Sequence, residues 1–259
     1  MSRLRCLVEY DGTGYEGWQV QLGRPTIQEE IEHVLKQITG EATRIHGSGR
    51  TDSGVHAVGQ VAHFDIERHV DVPLVQRSIN AILPAAIAIR QLEHAPPGFH
   101  ARYSAHRRTY EYTILNSPVR APLRRRYALH VGHPLDVVAM TEAARSLVGT
   151  HDFGSFGAAP GEASPDGTVR ATVRELFDAR VTFSGTEVKI KVTANAFLTH
   201  MMRRIAALLI DIGSGKAEHD AVKQALLKKD DRPRSRLVPA HGLCLMAVDY
   251  GEAGRKIPL

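Results

Sequence analysis

The chain is organised around the stretch Gly49-Arg50-Thr51-Asp52-Ser53-Gly54-Val55-His56-Ala57 and the residues Gly59-Gln60-Val61-Ala62-His63-Phe64 that follow it. Glycines near both ends of the first segment let the backbone bend tightly and approach a ligand closely. A carboxylate held in such a turn, here Asp52, can serve as a nucleophile, a base or a metal ligand. The commoner role of an Asp in a glycine-rich turn is to bond nearby backbone amides, so a purely structural interpretation stays open.

Two features next to this turn narrow its chemistry. Arg50 lies two residues before Asp52 and can pair with a phosphate or hold RNA. A second arginine would keep the carboxylate ionised at neutral pH, which is the form that a nucleophile or a proton acceptor needs. The turn is not a Walker A phosphate loop, because no Gly-Lys-Ser/Thr follows Gly47-Ser48-Gly49.

The charge of the chain is unevenly distributed. Residues 1–103 carry ten Lys and Arg against twelve Asp and Glu, whereas residues 104–259 carry 23 against 16, so the net charges are −2 and +7. The second part holds three basic clusters, Arg107-Arg108, Arg124-Arg125-Arg126, and Lys228-Lys229 with Arg232, Arg234 and Arg236. Such clusters suit a nucleic-acid partner, because they neutralise phosphates and release counterions. Charge alone fits a solvated arginine-rich surface equally well.

Hydrophobic periodicity predicts short strands and helices in both parts of the chain. Strands are expected over residues 4–10, 58–64, 87–92, 108–115, 169–183, 187–192 and 243–250. Helices are expected over residues 27–39, 74–82, 137–148, 198–212 and 220–228. Thr26 is the expected N-cap of the first helix, and Gly40 ends it. Strict βαβ alternation is absent, so the pattern indicates an α+β fold with largely antiparallel sheets.

A chain of 259 residues can form one large domain or two small ones. Pro96-Pro97-Gly98 interrupts the periodic pattern, and we place a domain boundary shortly afterwards, near Tyr103. The expected domains are therefore residues 1–103, with the Asp52 turn, and residues 104–259, with most of the basic surface. No apolar run approaches the ~20 residues of a membrane helix, and the N-terminus resembles no signal peptide. A cytoplasmic protein is expected, with Cys6 and Cys244 as buried thiols.

Three further sets of residues are candidates for function. Tyr110 follows Arg107-Arg108 on a predicted strand, where it is either a platform for base stacking or plain core with its neighbours. Arg203 points away from the apolar stripe of its predicted helix, toward either solvent or a site. The fourteen histidines show no spacing that matches a set of metal ligands, so no metal is expected.

Segments spread over most of the chain resemble the TruA family of tRNA pseudouridine synthases. They are Tyr10–Gln19, Gly49–Phe64, Ser104–Tyr112, Gly149–Phe156, Asn195–Ile205 and, more weakly, Pro239–Leu243. Ser53 stands where the family usually has Ala, Ala207 where Gly is common, and Cys244 where an aromatic residue is common. None of these departures removes a group to which the family's motifs give a chemical role.

The resemblance implies an isomerase that converts uridine to pseudouridine in the anticodon stem-loop of tRNA, at positions 38–40. It implies the two-domain pseudouridine synthase fold around a basic cleft, a homodimer, and no cofactor or metal. Asp52 would be the catalytic carboxylate, acting as a nucleophile at C1′ or as a base in a glycal route. Tyr110 would stack on the uracil, Arg203 would pair with Asp52, and Arg50 would hold the flipped nucleotide. Leu243 would line the base pocket.

Two other functions compete with the synthase interpretation. A non-catalytic RNA-binding module would use Asp52 only as a turn residue. A metal-dependent nuclease would use Asp52, His56 and Asp152, but Asp152 lies in the other expected domain and has no acidic partner at the spacing of a metal site. The sequence leaves the identity of the modified uridines and the chemical route of Asp52 open.

Overall fold

A computed structural model describes residues 2–67, 70–158, 172–228 and 236–251. The strands in these residues are β1 (Ser2–Tyr10), β2 (His46–Gly47), β3 (His56–Ile66), β4 (Ile87–His94), β5 (Arg107–Asn116), β6 (Leu129–Val131), β7 (Gly149–Asp152), β8 (Val173–Ser184), β9 (Glu187–Ala194) and β10 (Leu243–Asp249). The helices are α1 (Ile27–Thr39), α2 (Val72–Ile82), α3 (Val137–Arg145), α4 (Met201–Gly213) and α5 (Ala221–Leu227). None of these five helices is long and apolar enough to cross a membrane.

The chain packs as two compact units. The first contains residues up to Arg108 together with residues from Cys244 onward, and the second contains Thr109–Leu243. The strand β10 contributes to the first unit because Cys244 and Leu245 pair in parallel with residues of β3. This grouping describes packing, and the division into domains at residue 103 stays a prediction.

The first unit is built on a sheet in the order β4-β1-β3-β10, with β2 added to β3. β1 is antiparallel to both of its neighbours, so that Cys6 lies opposite Ala62 on β3 and Leu92 on β4. Cys6 is fully buried, as predicted for its face of β1. The other face is also covered, because Arg5 is only 6% exposed and pairs with Glu93 of β4.

The ends of α1 follow the signals in the sequence. The hydroxyl of Thr26 accepts a hydrogen bond from the backbone N–H of Glu29, as an N-cap does. Gly40 takes a left-handed conformation with φ 77°, and its N–H bonds the carbonyl of Lys36. Both boundaries predicted for this helix are confirmed.

The second unit is built on strands in the order β5-β9-β8-β7, with β6 parallel to β5. β8 and β9 form the expected antiparallel hairpin. The helices α3 and α4 pack on each other so closely that a Cβ on Gly213 would lie 2.6 Å from the Met140 sulfur. The mixed, mostly antiparallel α+β fold expected from the sequence is confirmed.

The helices α3 and α4 each lack about one turn at one end relative to the periodic pattern. α3 ends at Arg145 rather than at Val148, because residues 146–148 form turns before β7. α4 begins at Met201, after a residue, His200, whose positive φ of 65° interrupts the helical path from Leu198. In both helices a local change of backbone direction overrides the continuing apolar pattern.

Other expectations are met only in part or fall outside the described residues. Cys6 is buried as expected, whereas Cys244 is only half-buried. The start of the strand predicted from residue 169 lies outside the described residues. So do Lys229, Arg232 and Arg234 of the third basic cluster.

A histidine cluster, defined here as His46, His63 and His100, is centred on the buried ring of His63. That ring is 5.1 Å from the ring of His46 and 4.6 Å from that of His100. Its Nδ1 accepts a hydrogen bond of 3.2 Å from the backbone N–H of Ala101, so this nitrogen carries no proton. Burial, then the charges of His100, Arg3 and His46, lower the pKa of His63 to about 4, and nearby Asp65 opposes the shift.

The lowered pKa of His63 predicts a loss of stability in acid. Below an unfolded-state pKa of about 6.5, the unfolded chain binds a proton that the folded chain excludes, so folding weakens as the pH falls toward 4. We expect this histidine to cost about 2–3 kcal/mol of unfolding free energy over that interval. Urea unfolding of the unaltered chain and of His63→Gln across the interval measures it, since the variant keeps an acceptor for Ala101. Parallel pH profiles for the two proteins would contradict this origin of the acid sensitivity.

Candidate functional site

Asp52 occupies the first position of a tight turn. Its carbonyl accepts a hydrogen bond of 3.1 Å from the N–H of Val55, three residues later. Gly54 has a φ of 75°, which is the left-handed conformation that the third position of a type II turn requires. The tight turn predicted at Asp52 is therefore confirmed, with Gly54 as its glycine, and Asp52 is half-buried in it.

The backbone of residues 15–18 packs against this turn and is hydrogen-bonded to it. The N–H of Trp18 donates to the carbonyl of Thr51 at 3.1 Å, and the N–H of Gly54 donates to the carbonyl of Tyr15 at 3.2 Å. Gly17 lies between these bonds with φ 88°, and a Cβ built there would be 2.4 Å from the Thr51 oxygen. Two backbone segments therefore approach each other at a distance that only glycine permits.

A second close approach supports the end of the turn. A Cβ on Gly12 would lie 2.1 Å from the carbonyl oxygen of Val55. The N–H of Gly12 donates to Nδ1 of His56 at 3.0 Å, and that nitrogen also lies 3.1 Å from a carboxylate oxygen of Asp11. The His56 ring nitrogen therefore lies between the Gly12 amide and the Asp11 carboxylate. His56 is thus a support for the turn.

Beneath the turn, two buried hydroxyls meet. The phenol oxygen of Tyr10 lies 2.8 Å from the hydroxyl oxygen of Thr51 in a hydrogen bond that either group can donate. Tyr10 also packs against Trp18, with ring centroids 6.0 Å apart. The residue before Asp52 is therefore fixed through both its backbone and its side chain.

In the second unit, Tyr110 lies on β5 and is 8% exposed. Its ring meets that of Phe197 nearly edge-on, with centroids 4.9 Å apart and an angle of 74° between the planes. Phe197 belongs to the segment that leads into α4. This contact fixes the plane of the Tyr110 ring, which a stacking residue needs.

Arg203 lies on the first turn of α4 and is half-buried. Its Nε donates to the carbonyl of Val238 at 2.9 Å, which fixes the direction of the guanidinium. The sequence left open whether this side chain points to solvent or to a site. In the structure it points to the protein segment that contains Val238. That segment runs on to Leu243, which is 5% exposed at the start of β10.

Tyr112 fixes the same segment from β5. Its phenol donates to the carbonyl of Pro239 at 2.9 Å, and a Cβ on Gly242 would lie 2.8 Å from its ring. Burial raises the pKa of Tyr112, and the positive charges of Arg203 and Arg236 oppose the shift. The phenol therefore stays protonated and keeps its donor. In the sequence, Tyr112 has the pattern of a core residue, and nothing in that pattern indicates this bond.

We expect Tyr112→Phe to loosen the Pro239–Leu243 segment. The variant keeps the ring against Gly242 but leaves the Pro239 carbonyl without this donor, which costs about 0.5–1.5 kcal/mol of unfolding free energy. Thermal unfolding measures the loss. The matched control is Tyr103→Phe, because Tyr103 is 78% exposed and should change little. Equal midpoints for the two variants would contradict the role of the phenol.

The five residues singled out from the sequence fall in both units. Arg50 and Asp52 belong to the first, where Arg50 is exposed. Tyr110, Arg203 and Leu243 belong to the second, where contacts with Phe197 and Val238 fix the first two. Their roles stay predictions.

Asp152 and His56, two of the residues considered for a metal-dependent nuclease, make hydrogen bonds that support the backbone. One oxygen of Asp152 accepts hydrogen bonds from the N–H of Gly154 at 2.9 Å and from the Thr172 hydroxyl at 2.5 Å, so this carboxylate caps a turn. His56 supports Gly12, as described above. In the part of the chain that the structure describes, no three His, Cys, Asp or Glu side chains are placed to hold a metal ion.

Comparison with known proteins matches nearly the whole chain. The profile of a family described as tRNA pseudouridine synthase matches residues 6–104 and 143–251. A tRNA pseudouridine synthase A from Maridesulfovibrio salexigens is 40% identical over 258 residues, which cover 98% of this chain and 92% of that protein. Proteins of the same name from Brevibacillus brevis and Bacillus subtilis are each 41% identical over 250 residues, covering 96% of this chain and 100% and 99% of theirs.

Proposed function

The chain belongs to the tRNA pseudouridine synthase family, whose members isomerise uridine to pseudouridine in tRNA, and we propose that it acts through the carboxylate of Asp52 on the anticodon stem-loop. The observation that carries the proposal is the geometry of the Asp52 turn. Its close contact with Gly17 and the hydrogen bond from Val55 fix the backbone from which the carboxylate projects. Resemblance to the TruA family suggests positions 38–40 for the modified uridines.

The reaction needs one well-placed carboxylate and consumes no other reactant. The N1–C1′ bond breaks, the uracil rotates, a C5–C1′ bond forms, and the proton lost from C5 is balanced by one gained at N1. In one route the Asp52 carboxylate attacks C1′, and the uracil later displaces it. In the other, Asp52 removes a proton from C2′ to give a glycal and returns it. Both routes need the ionised carboxylate.

The other site residues supply binding and orientation. The target uridine must leave the base stack, which costs a few kcal/mol before any chemistry occurs. Tyr110, its ring fixed by Phe197, would stack on the flipped uracil and offset part of that cost. Arg203, directed by Val238, would pair with Asp52, while exposed Arg50 would help to hold the flipped nucleotide.

Further parts of the proposal are expectations from the sequence and from the family resemblance. Leu243 would line the pocket for the uracil in a basic, RNA-binding cleft. The protein would act in the cytoplasm as a homodimer, without a metal or an organic cofactor. Sedimentation of the full chain with and without tRNA tests the dimer, and unchanged activity in EDTA tests the independence from metal.

The choice of uridine is tested with unmodified tRNA transcripts. Digestion to nucleosides should reveal pseudouridine in a transcript with uridine at positions 38–40. A matched transcript with cytidine at those positions should gain none. Pseudouridine in both transcripts would move the target elsewhere in the tRNA. Tight binding to both without any pseudouridine would favour the RNA-binding module instead.

A further inference from the structure

A buried amide lies beneath the entry to the Asp52 turn. Gln60, in the middle of β3, is completely buried. Its Nε2 donates to the carbonyl of Gly49 at 3.0 Å, and its Oε1 accepts a bond of 2.6 Å from the buried Ser48 hydroxyl. Both bonds are directed at the two residues that precede Arg50, so the side chain serves the turn rather than its own strand.

The same two residues are held by further bonds. The N–H of Ser48 donates to the carbonyl of Val61 at 2.8 Å. The Arg108 guanidinium donates to the carbonyl of Ser48 at 3.1 Å and to that of Arg102 at 2.7 Å. The carbonyls of Ser48 and Gly49 are therefore each taken by a side chain. The backbone enters the turn along a path fixed on two sides.

The hydrogen bonds of this buried amide tie β3 to the entry of the turn. An apolar side chain of similar volume would fill the space but would leave the Ser48 hydroxyl and the Gly49 carbonyl without this partner, which destabilises the fold as well as the turn. What an apolar residue cannot do is hold the Gly49 oxygen. The exit of the turn is fixed separately, by the bonds of Thr51 to Trp18 and of Asp52 to Val55. At the entry, Val61 and Arg108 hold Ser48, and Gln60 holds the carbonyl of Gly49.

We propose that Gln60 is a positioning residue for Asp52, setting the path of the catalytic turn through the Gly49 carbonyl. The inference rests on the proposed function of Asp52. A displacement of the carboxylate by about 1 Å is enough to slow a positioned reaction by about 10²-fold. The donor on Nε2 is the essential part of the side chain, and the acceptor on Oε1 serves only to orient the amide through Ser48.

Three variants separate these parts. Gln60→Met fills the volume and removes both hydrogen bonds. Gln60→Glu keeps an acceptor for Ser48 but, when ionised, removes the donor to Gly49. Ser48→Ala removes only the bond between Ser48 and Gln60. We expect the two Gln60 variants to lower kcat by about 10- to 100-fold with KM changed by less than about threefold, and Ser48→Ala to lower kcat by less than about fivefold.

The pH profile supplies a readout that a merely structural role would not move. In Gln60→Glu, protonation of the introduced carboxyl group restores a donor for the Gly49 carbonyl. The ratio of kcat for Gln60→Glu to that of the unaltered chain should therefore rise as the pH is lowered, whereas the ratio for Gln60→Met should stay flat. Burial of this position favours protonation of the introduced carboxyl group, whereas the Arg108 guanidinium, which bonds Ser48, opposes it.

The experiment is tritium release from tRNA labelled at C5 of uridine, with tRNA affinity and unfolding midpoint measured on each variant. Midpoints well above the assay temperature establish that the proteins compared are folded. A kcat for Gln60→Met within about threefold of the unaltered chain overturns the inference. So does a flat ratio for Gln60→Glu. If the unaltered chain itself releases no tritium, the proposed function fails, and the inference falls with it.

Discussion

We expect Asp52→Asn to form pseudouridine at least about 10³-fold more slowly than the unaltered chain while binding tRNA with similar affinity. The amide has nearly the shape of the carboxylate, so the turn closed by Val55 and Gly54 has no steric reason to move. It can neither attack C1′ nor accept a proton at neutral pH, and both proposed routes stop at their first step.

If Asp52→Asn still binds tRNA, its loss of activity comes from the missing carboxylate and not from misfolding. Phosphate contacts dominate the affinity of proteins for RNA, and replacing one carboxylate removes none of them. The matched control is Asp71→Asn. Asp71 is an exposed N-cap of α2 whose side chain accepts from the N–H of Leu74, a role that Asn fills equally well. Full activity in both variants would make Asp52 a turn residue and favour the RNA-binding module.

The second large effect is expected from Gly17→Ala. A Cβ at this position lies 2.4 Å from the backbone oxygen of Thr51 and 3.0 Å from the carbonyl carbon of Asp52, so one backbone must move. The positive φ of 88° adds about 1–2 kcal/mol of strain, and the overlap adds about 1–3 kcal/mol more. Because the displaced atoms belong to the catalytic turn, we also expect kcat to fall by about 10- to 100-fold.

A second glycine of the chain provides a control that separates the effect of steric overlap from that of backbone strain. Gly14 has a φ of 82°, close to that of Gly17, but a Cβ there meets nothing within 4 Å. Gly14→Ala should therefore show only the loss from strain, about 1–2 kcal/mol, with kcat unchanged. Urea unfolding and steady-state kinetics of the two variants measure the difference. If Gly17→Ala loses no more stability and activity than Gly14→Ala, the close approach does not fix the turn.

Local chemistry explains which parts of the fold were predictable. The caps of α1 at Thr26 and Gly40 depend on one or two neighbouring residues, and both appear in the structure as expected. The turn at Asp52 is equally local, because Gly54 supplies the positive φ that it needs. Where a change of backbone direction decides an end, as for α4 at His200, the periodic pattern alone extended the helix too far.

Contacts between distant residues could not be predicted in this way. The phenol of Tyr112 finds its acceptor on Pro239, 127 residues later, and no periodicity specifies such a pair. β10 pairs with β3 through Cys244 and Leu245, although nearly the whole second unit lies between the two strands in sequence. Hydrophobic patterns indicate that a face is buried, but they carry no information about what covers it.

The candidate site shows the same division. Asp52 and its glycines could be found from one stretch of sequence, whereas for Tyr110 and Arg203 the pattern left a core or solvent position open and only the family resemblance gave them a role. Arg203 was correctly placed off the apolar stripe of its helix, yet its bond to Val238 needed the structure. Gln60 had one signal in the sequence, a lone amide in a largely apolar strand, and its meaning emerged only with the Gly49 contact.

Whether the Asp52 carboxylate performs the isomerisation can be decided in a single turnover. Tritium release from tRNA labelled at C5 of uridine is followed with saturating enzyme, for the unaltered chain and for Asp52→Asn. We expect complete release by the unaltered chain and none by the variant over the same time, although the variant is bound to the tRNA. Release by Asp52→Asn at a comparable rate would show that another group performs the chemistry.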